Sequence, residues 1–430
     1  MSKSDPRSTA PWPVVWSFAL LAMLSGCASR PQGVLMPVAA TAPGTSRVEM
    51  LVATTRLDTS VPGVMFSGER RPSGIAFADI AVSIPPDSIR EAGEVQWPET
   101  LPGNPATDFV AVRAQEILRP RAVALFHEAL TRTPGKRVLV FVHGFNNRFE
   151  DAVFRFAQII HDSHAPVVPV LFTWPSRGDL FAYGYDREST NFSRDALEQV
   201  LSTLAADPKV GEISILAHSM GNWLTLESLR QMAIRNRAIT PKIKNVMLAA
   251  PDVDVDVFRT QVAEFGAVHP NFTLFVSQDD RALAVSRRVW GSTARLGAID
   301  PEQEPFRTEL AQDHIQVLDL TKLRAGDSLN HGKFAESPEV VQLIGQRLVE
   351  GQTVTDSRIG VGDRIAQVTV GAASAVGSTA GLVLSAPAAA LDPVSRLNYT
   401  QQVRTLSDTV GDTMVSSTKV LSTKPTDGDQ

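Results

Sequence analysis

Between residues 138 and 348 a short apolar run is followed, six times in succession, by a stretch whose apolar side chains recur at helical spacing. The runs are 138–142, 167–173, 213–216, 246–250, 272–276 and 315–320. An unbroken apolar run of this length suits a strand covered on both faces. Phe149, Val153, Phe156 and Ile160 mark one face of a helix, as do Leu197, Leu201 and Leu204. Such alternation requires right-handed crossovers, so the expected fold class is α/β: a mostly parallel sheet with helices on both faces. Two earlier runs, 48–55 and 75–84, bring the expected strands to eight. Residues 109–133 read as a helix stopped by Pro134-Gly135.

One of the strand-to-helix turns carries chemistry. Ala217-His218-Ser219-Met220-Gly221 lies between the apolar run 213–216 and a helix beginning near Met220. A serine lifted on so tight a turn, with small residues beside it, is the nucleophile elbow found in α/β-hydrolases. Gly221 meets the size rule, and Ala217 stands where a glycine is usual. The backbone N–H of Met220 would then point into an oxyanion hole. A second donor belongs to the loop after the strand 138–142, which reads His143-Gly144-Phe145-Asn146-Asn147. Gly144 permits close backbone approach, and the N–H of Phe145 is the candidate donor. His143 reads as a structural residue bonding within its own loop.

In this arrangement the partners follow the serine in the order acid, then histidine. His331 is the one histidine downstream of the last strand, and a loop of about ten residues lets it reach back over the serine. His314 precedes that strand, and His218 belongs to the elbow itself. The strand 272–276 ends in Ser277-Gln278-Asp279-Asp280, where either carboxylate can serve as the acid. Asp252 and Asp254, one strand earlier, are competitors that also read as a helix start. Only about twenty residues separate the sixth and seventh expected strands, too few for a large cap, so the site should be open. Trp174, Arg177, Tyr183 and Tyr185 follow the fourth strand and are candidates for the pocket wall, with loop packing as the alternative. Asp186, Arg187 and Glu188 read as an ion-pair network.

Several further stretches carry a resemblance: VATTR at 52–56, FSGER at 66–70, VSIPP at 82–86, FVHGFN at 141–146, FTWPS at 172–176, YDRES at 185–189, AHSMGN at 217–222 and FAESP at 334–338. Together they make the chain similar to a bacterial family of α/β-hydrolases of unknown function, many of them lipoproteins. The resemblance spans about residues 48–350 and implies the eight-stranded hydrolase fold and a Ser–Asp–His triad. It favours Asp280 over Asp279, because relatives carry the acid just before Arg-Ala-Leu, here Arg281-Ala282-Leu283. In relatives the histidine is often followed by Ser-Tyr or a similar pair; here Gly332-Lys333 follow. The resemblance implies no substrate.

The N-terminus has its own signal. Lys3 and Arg7 precede an apolar stretch ending in Leu24-Ser25-Gly26-Cys27, and Cys27 is the single cysteine of the 430-residue chain. A basic start, a short apolar run and small residues before a cleavage point form a secretory signal. The ending resembles a bacterial lipobox, in which the cysteine is acylated. With Ala28 next, resemblance to Gram-negative lipoproteins implies an outer-membrane protein facing the periplasm. The expected organisation is a signal peptide at 1–26, a flexible tether at 27–46, the hydrolase domain at 47–351 and a low-complexity extension at 352–430. Residues 365–391 of that extension carry no charge but are only weakly hydrophobic, and read as a segment lying on the domain.

One cysteine allows neither an intrachain disulfide nor a Cys-based zinc site, and the eight histidines lack metal-ligand spacing. No metal and no cofactor is expected. A net charge of −5 without clustered Lys and Arg argues against nucleic acid as a partner. The expected activity is cleavage of carboxylic ester bonds, in a small molecule or lipid, through an acyl-enzyme on Ser219. The same residues suit acyl transfer or thioester cleavage. A reading from another class is a scaffold lipoprotein of the envelope, against which the full set of serine, histidine and acid argues.

Overall fold

The computed structural model describes residues 31–266, 269–289, 293–323 and 327–350. The expected signal segment, Cys27 and the 352–430 extension lie outside these residues. Nine strands form one sheet: β1 (Ser46–Thr54), β4 (Ala76–Ile84), β5 (Val110–Ile117), β6 (Arg137–Val142), β7 (Val168–Thr173), β8 (Glu212–His218), β9 (Ile243–Ala249), β10 (Asn271–Val276) and β11 (Gln316–Asp319). Their spatial order is β11-β10-β9-β8-β6-β7-β1-β4-β5. Neighbours from β11 to β1 are parallel, and β4 runs against both β1 and β5. A hairpin, β2 (Arg56–Asp58) with β3 (Phe66–Arg70), stands apart from the sheet.

The helices are α1 (Arg119–Arg132), α2 (Phe149–Ser163), α3 (Tyr183–Ala206), α4 (Met220–Asn236), α5 (Val255–Ala263), α6 (Arg281–Val289), α7 (Phe306–Gln312), α8 (Lys333–Glu336) and α9 (Pro338–Glu350). They cover both faces, and β6 illustrates why its run is all apolar. Val138, Val140 and Val142 enter the core beneath α1, α3 and α4, whereas Leu139 and Phe141 enter the core beneath α2 and α9. Alternate side chains thus fill two separate cores. Each fully buried Val, Leu or Phe contributes about 1.5–3 kcal/mol.

The ninth strand departs from the eight expected. Residues 109–133 form not one helix but β5 followed by α1, with Leu118 as N-cap and a proline in the first turn. Pro120 is tolerated at a helix start but not within one, so it marks the boundary. Upstream of it, Val110 and Ala111 are buried as β5 pairs with the edge of β4. The tether expectation also changes over its described part. Val34 and Leu35 are buried in the α2-side core, and Leu35 N–H donates to Gly63 O and Val38 N–H to Ala111 O. The apolar Val-Leu-Met-Pro-Val run from 34 to 38 is docked rather than tethering.

The chain passes from β6 to β7 on one side and returns to β8 on the other, so the strand order reverses between β6 and β8. A crevice opens at the carboxyl ends of strands at such a point.

Candidate active site

Ser219 sits in that crevice, between β8 and α4, with φ 52° and ψ −123°. A non-glycine residue held there stores about 1–3 kcal/mol of strain, which the surroundings must offset. They do so with hydrogen bonds. Ser219 N–H donates to Ala249 O at 2.9 Å, and Ser219 O accepts from the N–H groups of Asn222 and Asp252. The Asn222 side-chain amide donates to both Ser219 O at 3.0 Å and Ala249 O at 2.8 Å, tying the elbow to β9.

Close packing explains the small residues. A Cβ on Gly221 would lie 2.3 Å from His143 O, and one on Gly144 would lie 2.8 Å from Ser219 Cβ. The loop after β6 therefore presses directly on the Ser219 turn. Ala217 is fully buried at the end of β8, with its methyl in the α4-side core. Met220 opens α4, so its N–H has no acceptor within the helix.

Asp280 follows β10, and His331 precedes α8. His331 Nδ1 lies 2.6 Å from Asp280 Oδ2, and Asp280 Oδ1 accepts from Leu283 N–H at 2.9 Å, capping α6. The carboxylate is 2% exposed, so both of its oxygens are fixed by protein donors. Asp279, its chain neighbour, turns away. It pairs with Lys333 Nζ at 2.7 Å and accepts from the Asn330 side chain at 3.0 Å. Lys333 is itself buried and donates also to Ser277 Oγ, Leu320 O and Thr321 O, lacing the loop after β10 to the loop after β11.

The loop bearing His331 is held from below. Asp327 accepts from the backbone N–H groups of His331 and Gly332, and Asp327 N–H donates to Glu336, which pairs with Arg155 at 3.2 Å. Burial works against protonation of His331. The Asp280 carboxylate beside it, with Asp252 and Asp327 further off, outweighs burial and leaves the imidazole above its ordinary pKa. Ser219, His331, Gly144, Phe145, Tyr183 and Asp252 line one cavity of about 640 Å³.

The histidine beside Ser219 has a different state. His218 packs its ring on Phe334 and His331, with Nε2 3.2 Å from His331 O. Desolvation, with His331 as a cationic neighbour, pushes its pKa far below the usual histidine value, so it stays neutral.

Residues 121–347, more than half of the chain, match the family described as alpha/beta hydrolase of unknown function (DUF900). The chain belongs to this family. Among curated proteins, an uncharacterized protein of Nostoc sp. is 24% identical over 150 residues, which cover 29% of this chain and 38% of that protein. The match thus spans well under half of the relative's length. Among solved structures, the esterase domain of a Rhodothermus marinus protein is similar over 70% of this chain and 96% of that chain, at 11% identity and a TM-score of 0.31.

Of the four candidate wall residues of this α/β-hydrolase, only Tyr183 lines the cavity. Its hydroxyl donates to Asp252 and contacts Ser286, and burial beside Asp252 raises its pKa strongly. Trp174 is fully buried, stacked on His143 at 4.9 Å with its indole N–H donating to His143 O. Arg177 pairs with Glu69 at 3.0 Å and lies over the Tyr185 ring at 3.6 Å, and Tyr185 itself bonds to Gly68 O and Glu69. Arg177 and Tyr185 thus brace the β2–β3 hairpin, whereas Trp174 ties the end of β7 to the loop after β6. His143 fits its structural reading: Nδ1 contacts Gly144 O, Nε2 accepts from Trp174 N–H, and desolvation lowers its pKa to about 3. Asp252 is engaged with Tyr183, Ser286 and Arg295 instead, and Asp254 caps α5.

Asp186 is not the ion-pair residue expected. It is fully buried and accepts from Ser176 Oγ, Arg177 N–H at 3.0 Å and Asn146 N–H at 3.5 Å. Arg187 lies over the Trp223 ring at 3.5 Å. Arg56 closes the VATTR stretch, whose sequence alone gives it no role. It is fully buried at the root of the hairpin, with its guanidinium donating to Ser67 O, Ser176 O and Asn147 O. Desolvation lowers its pKa to about 10, so it remains charged at neutral pH. Arg56 and Asp186 together hold the β6 loop against the β7 loop, from donor and acceptor sides. Asn222, Asp327 and Lys333 were likewise missed, since each acts through the backbone or a neighbour's charge.

Proposed function

We propose that this hydrolase cleaves carboxylic ester bonds through an acyl-enzyme on Ser219. The observation carrying the proposal is the 2.6 Å contact between Asp280 and His331 Nδ1 in the cavity that Ser219 lines. With Nδ1–H donated to the carboxylate, Nε2 is left as the basic nitrogen. His331 Nε2 takes the Ser219 proton as Oγ attacks the carbonyl carbon. The backbone N–H groups of Met220 and Phe145 receive the oxyanion. Collapse expels the alcohol, protonated by His331, and a water deprotonated by the same nitrogen releases the acid.

A fluorophosphonate probe should label the folded protein, and labelling should vanish in Ser219→Ala. Failure of the unaltered protein to label, with its fold verified by circular dichroism, would sink the reading and favour the scaffold alternative. The proposal extends to the cell envelope: acylation of Cys27 would anchor the enzyme at the outer membrane, facing the periplasm. Cys27→Ser should release it from the membrane fraction, and unchanged fractionation would count against the anchor.

A further inference from the structure

Leu180, Val285, Val289 and Leu329 are exposed and also line the cavity over Ser219, and Phe181, 97% exposed, stands beside Leu180. They come from three segments: the turn after β7, α6, and the loop before His331. Other exposed apolar side chains, such as Val61, Leu118 and Ile234, belong to separate elements and need no explanation. An apolar rim gathered around an opening marks an interaction surface.

The outward side of α6 adds charge. At helical spacing Arg281 and Arg288 flank Val285 and Val289, with Arg287 beside them, and all three arginines are exposed. Among the described residues none of the three pairs with a carboxylate. They stand out against a chain of net charge −5. Apolar side chains edged by arginine on a surface helix suit an anionic lipid interface.

The chain path agrees. Pro31, the first described residue, accepts from Arg148 at 3.3 Å, and the Arg148 side chain lies against Gly178, two residues before Leu180. The described chain thus starts beside the turn that carries Leu180 and Phe181.

We infer that the mouth of the cavity docks on an anionic lipid surface, and that the ester cleaved at Ser219 is drawn from that surface. The second half rests on the hydrolase reading above. A protein seated on the rim would seal the cavity, whereas a fluid lipid layer covers the apolar side chains and still supplies substrate.

The test uses the full chain carrying Cys27→Ser, so that no acyl anchor contributes. Flotation with phosphatidylcholine vesicles is compared with and without phosphatidylglycerol, for this parent and for a Phe181→Ser, Arg288→Gln variant of equal melting temperature. The parent should float only with phosphatidylglycerol, and the variant should lose about ten-fold in partitioning. Turnover of a vesicle-borne ester, relative to a soluble short-chain ester, should fall in parallel. A parent that ignores anionic vesicles, a variant that floats equally well, or a rim-dependent dimer in sedimentation would overturn the docking surface. If neither ester is hydrolysed, the hydrolase reading fails while the flotation result stands on its own.

Discussion

Replacing Asp280 by Asn changes one atom and should nearly abolish turnover. Asp280 Oδ1 accepts from Leu283 N–H at 2.9 Å, and Oδ2 faces His331 Nδ1 at 2.6 Å. An asparagine here has one oxygen for two positions. The Leu283 N–H can only be met by oxygen, so the amide NH2 must face Nδ1. The imidazole then has to accept at Nδ1 and carry its proton on Nε2, where it cannot take the serine proton. A wrong tautomer of this kind costs about 10⁴-fold in kcat, close to 5.5 kcal/mol of transition-state stabilisation. The fold should survive, because the helix cap is kept. Asp279→Asn frees one partner of the buried Lys333, which retains Ser277, Leu320 and Thr321 as acceptors, and should cost about ten-fold or less. The assay is kcat for a soluble ester with both variants, alongside their melting temperatures. A greater loss from Asp279→Asn than from Asp280→Asn would refute the reasoning.

The pH profile carries the same logic. His331 is held above the ordinary histidine value of 6.5 and works only when neutral, so kcat/KM should fall on the acid side along a limb lying above 6.5; a limb below that value would contradict the Asp280 contact. Gly144→Ala drives a methyl to 2.8 Å from Ser219 Cβ and should lower kcat by about 100-fold, with about 1–3 kcal/mol lost in urea unfolding; wild-type kinetics would deny that the loop presses on the elbow. Arg56→Met strands the carbonyls of Ser67, Ser176 and Asn147 and should cost about 3 kcal/mol or more, read as a lower urea midpoint and slower probe labelling. The buried His143, neutral down to about pH 3 when folded, binds its proton only on unfolding, so below the ordinary value of 6.5 it should subtract stability by about 1.4 kcal/mol per pH unit. His143→Gln should therefore flatten the decline of melting temperature between pH 6 and 4, and an equal decline would rule out this source.

What was legible in the sequence is what short-range pattern encodes. The strands that fill two cores, β6 through β11, announce themselves as apolar runs, and the elbow is a five-residue signal. His331 follows from chain order. The rest depends on partners distant in sequence. Asp279 and Asp280 are adjacent and identical, and what separates them is Lys333, which claims one carboxylate from 54 residues away. Arg56 looks like any surface arginine until Ser176 and Asn147 are seen to fold over it. Trp174 and Tyr185 follow a strand at the crevice edge as pocket residues do, but His143 and Glu69 draw them into packing. The edge strand β5 lacks an apolar run because one side of it is wet, and only Pro120 marks where it yields to α1.

The dual bonding of Asp280 also bears on how this enzyme can be altered. The helix that presents Val285 and Val289 at the cavity mouth is capped by the carboxylate that orients the base in the proposed mechanism, with Leu283 N–H as the link. The residues proposed for recognition and for chemistry are thus coupled through a single nine-residue lever. Substitutions that tilt α6 to suit a new substrate will turn the imidazole as well. Leu180 and Phe181, carried on a separate turn, can be varied without touching that lever, and a search for altered selectivity should begin there.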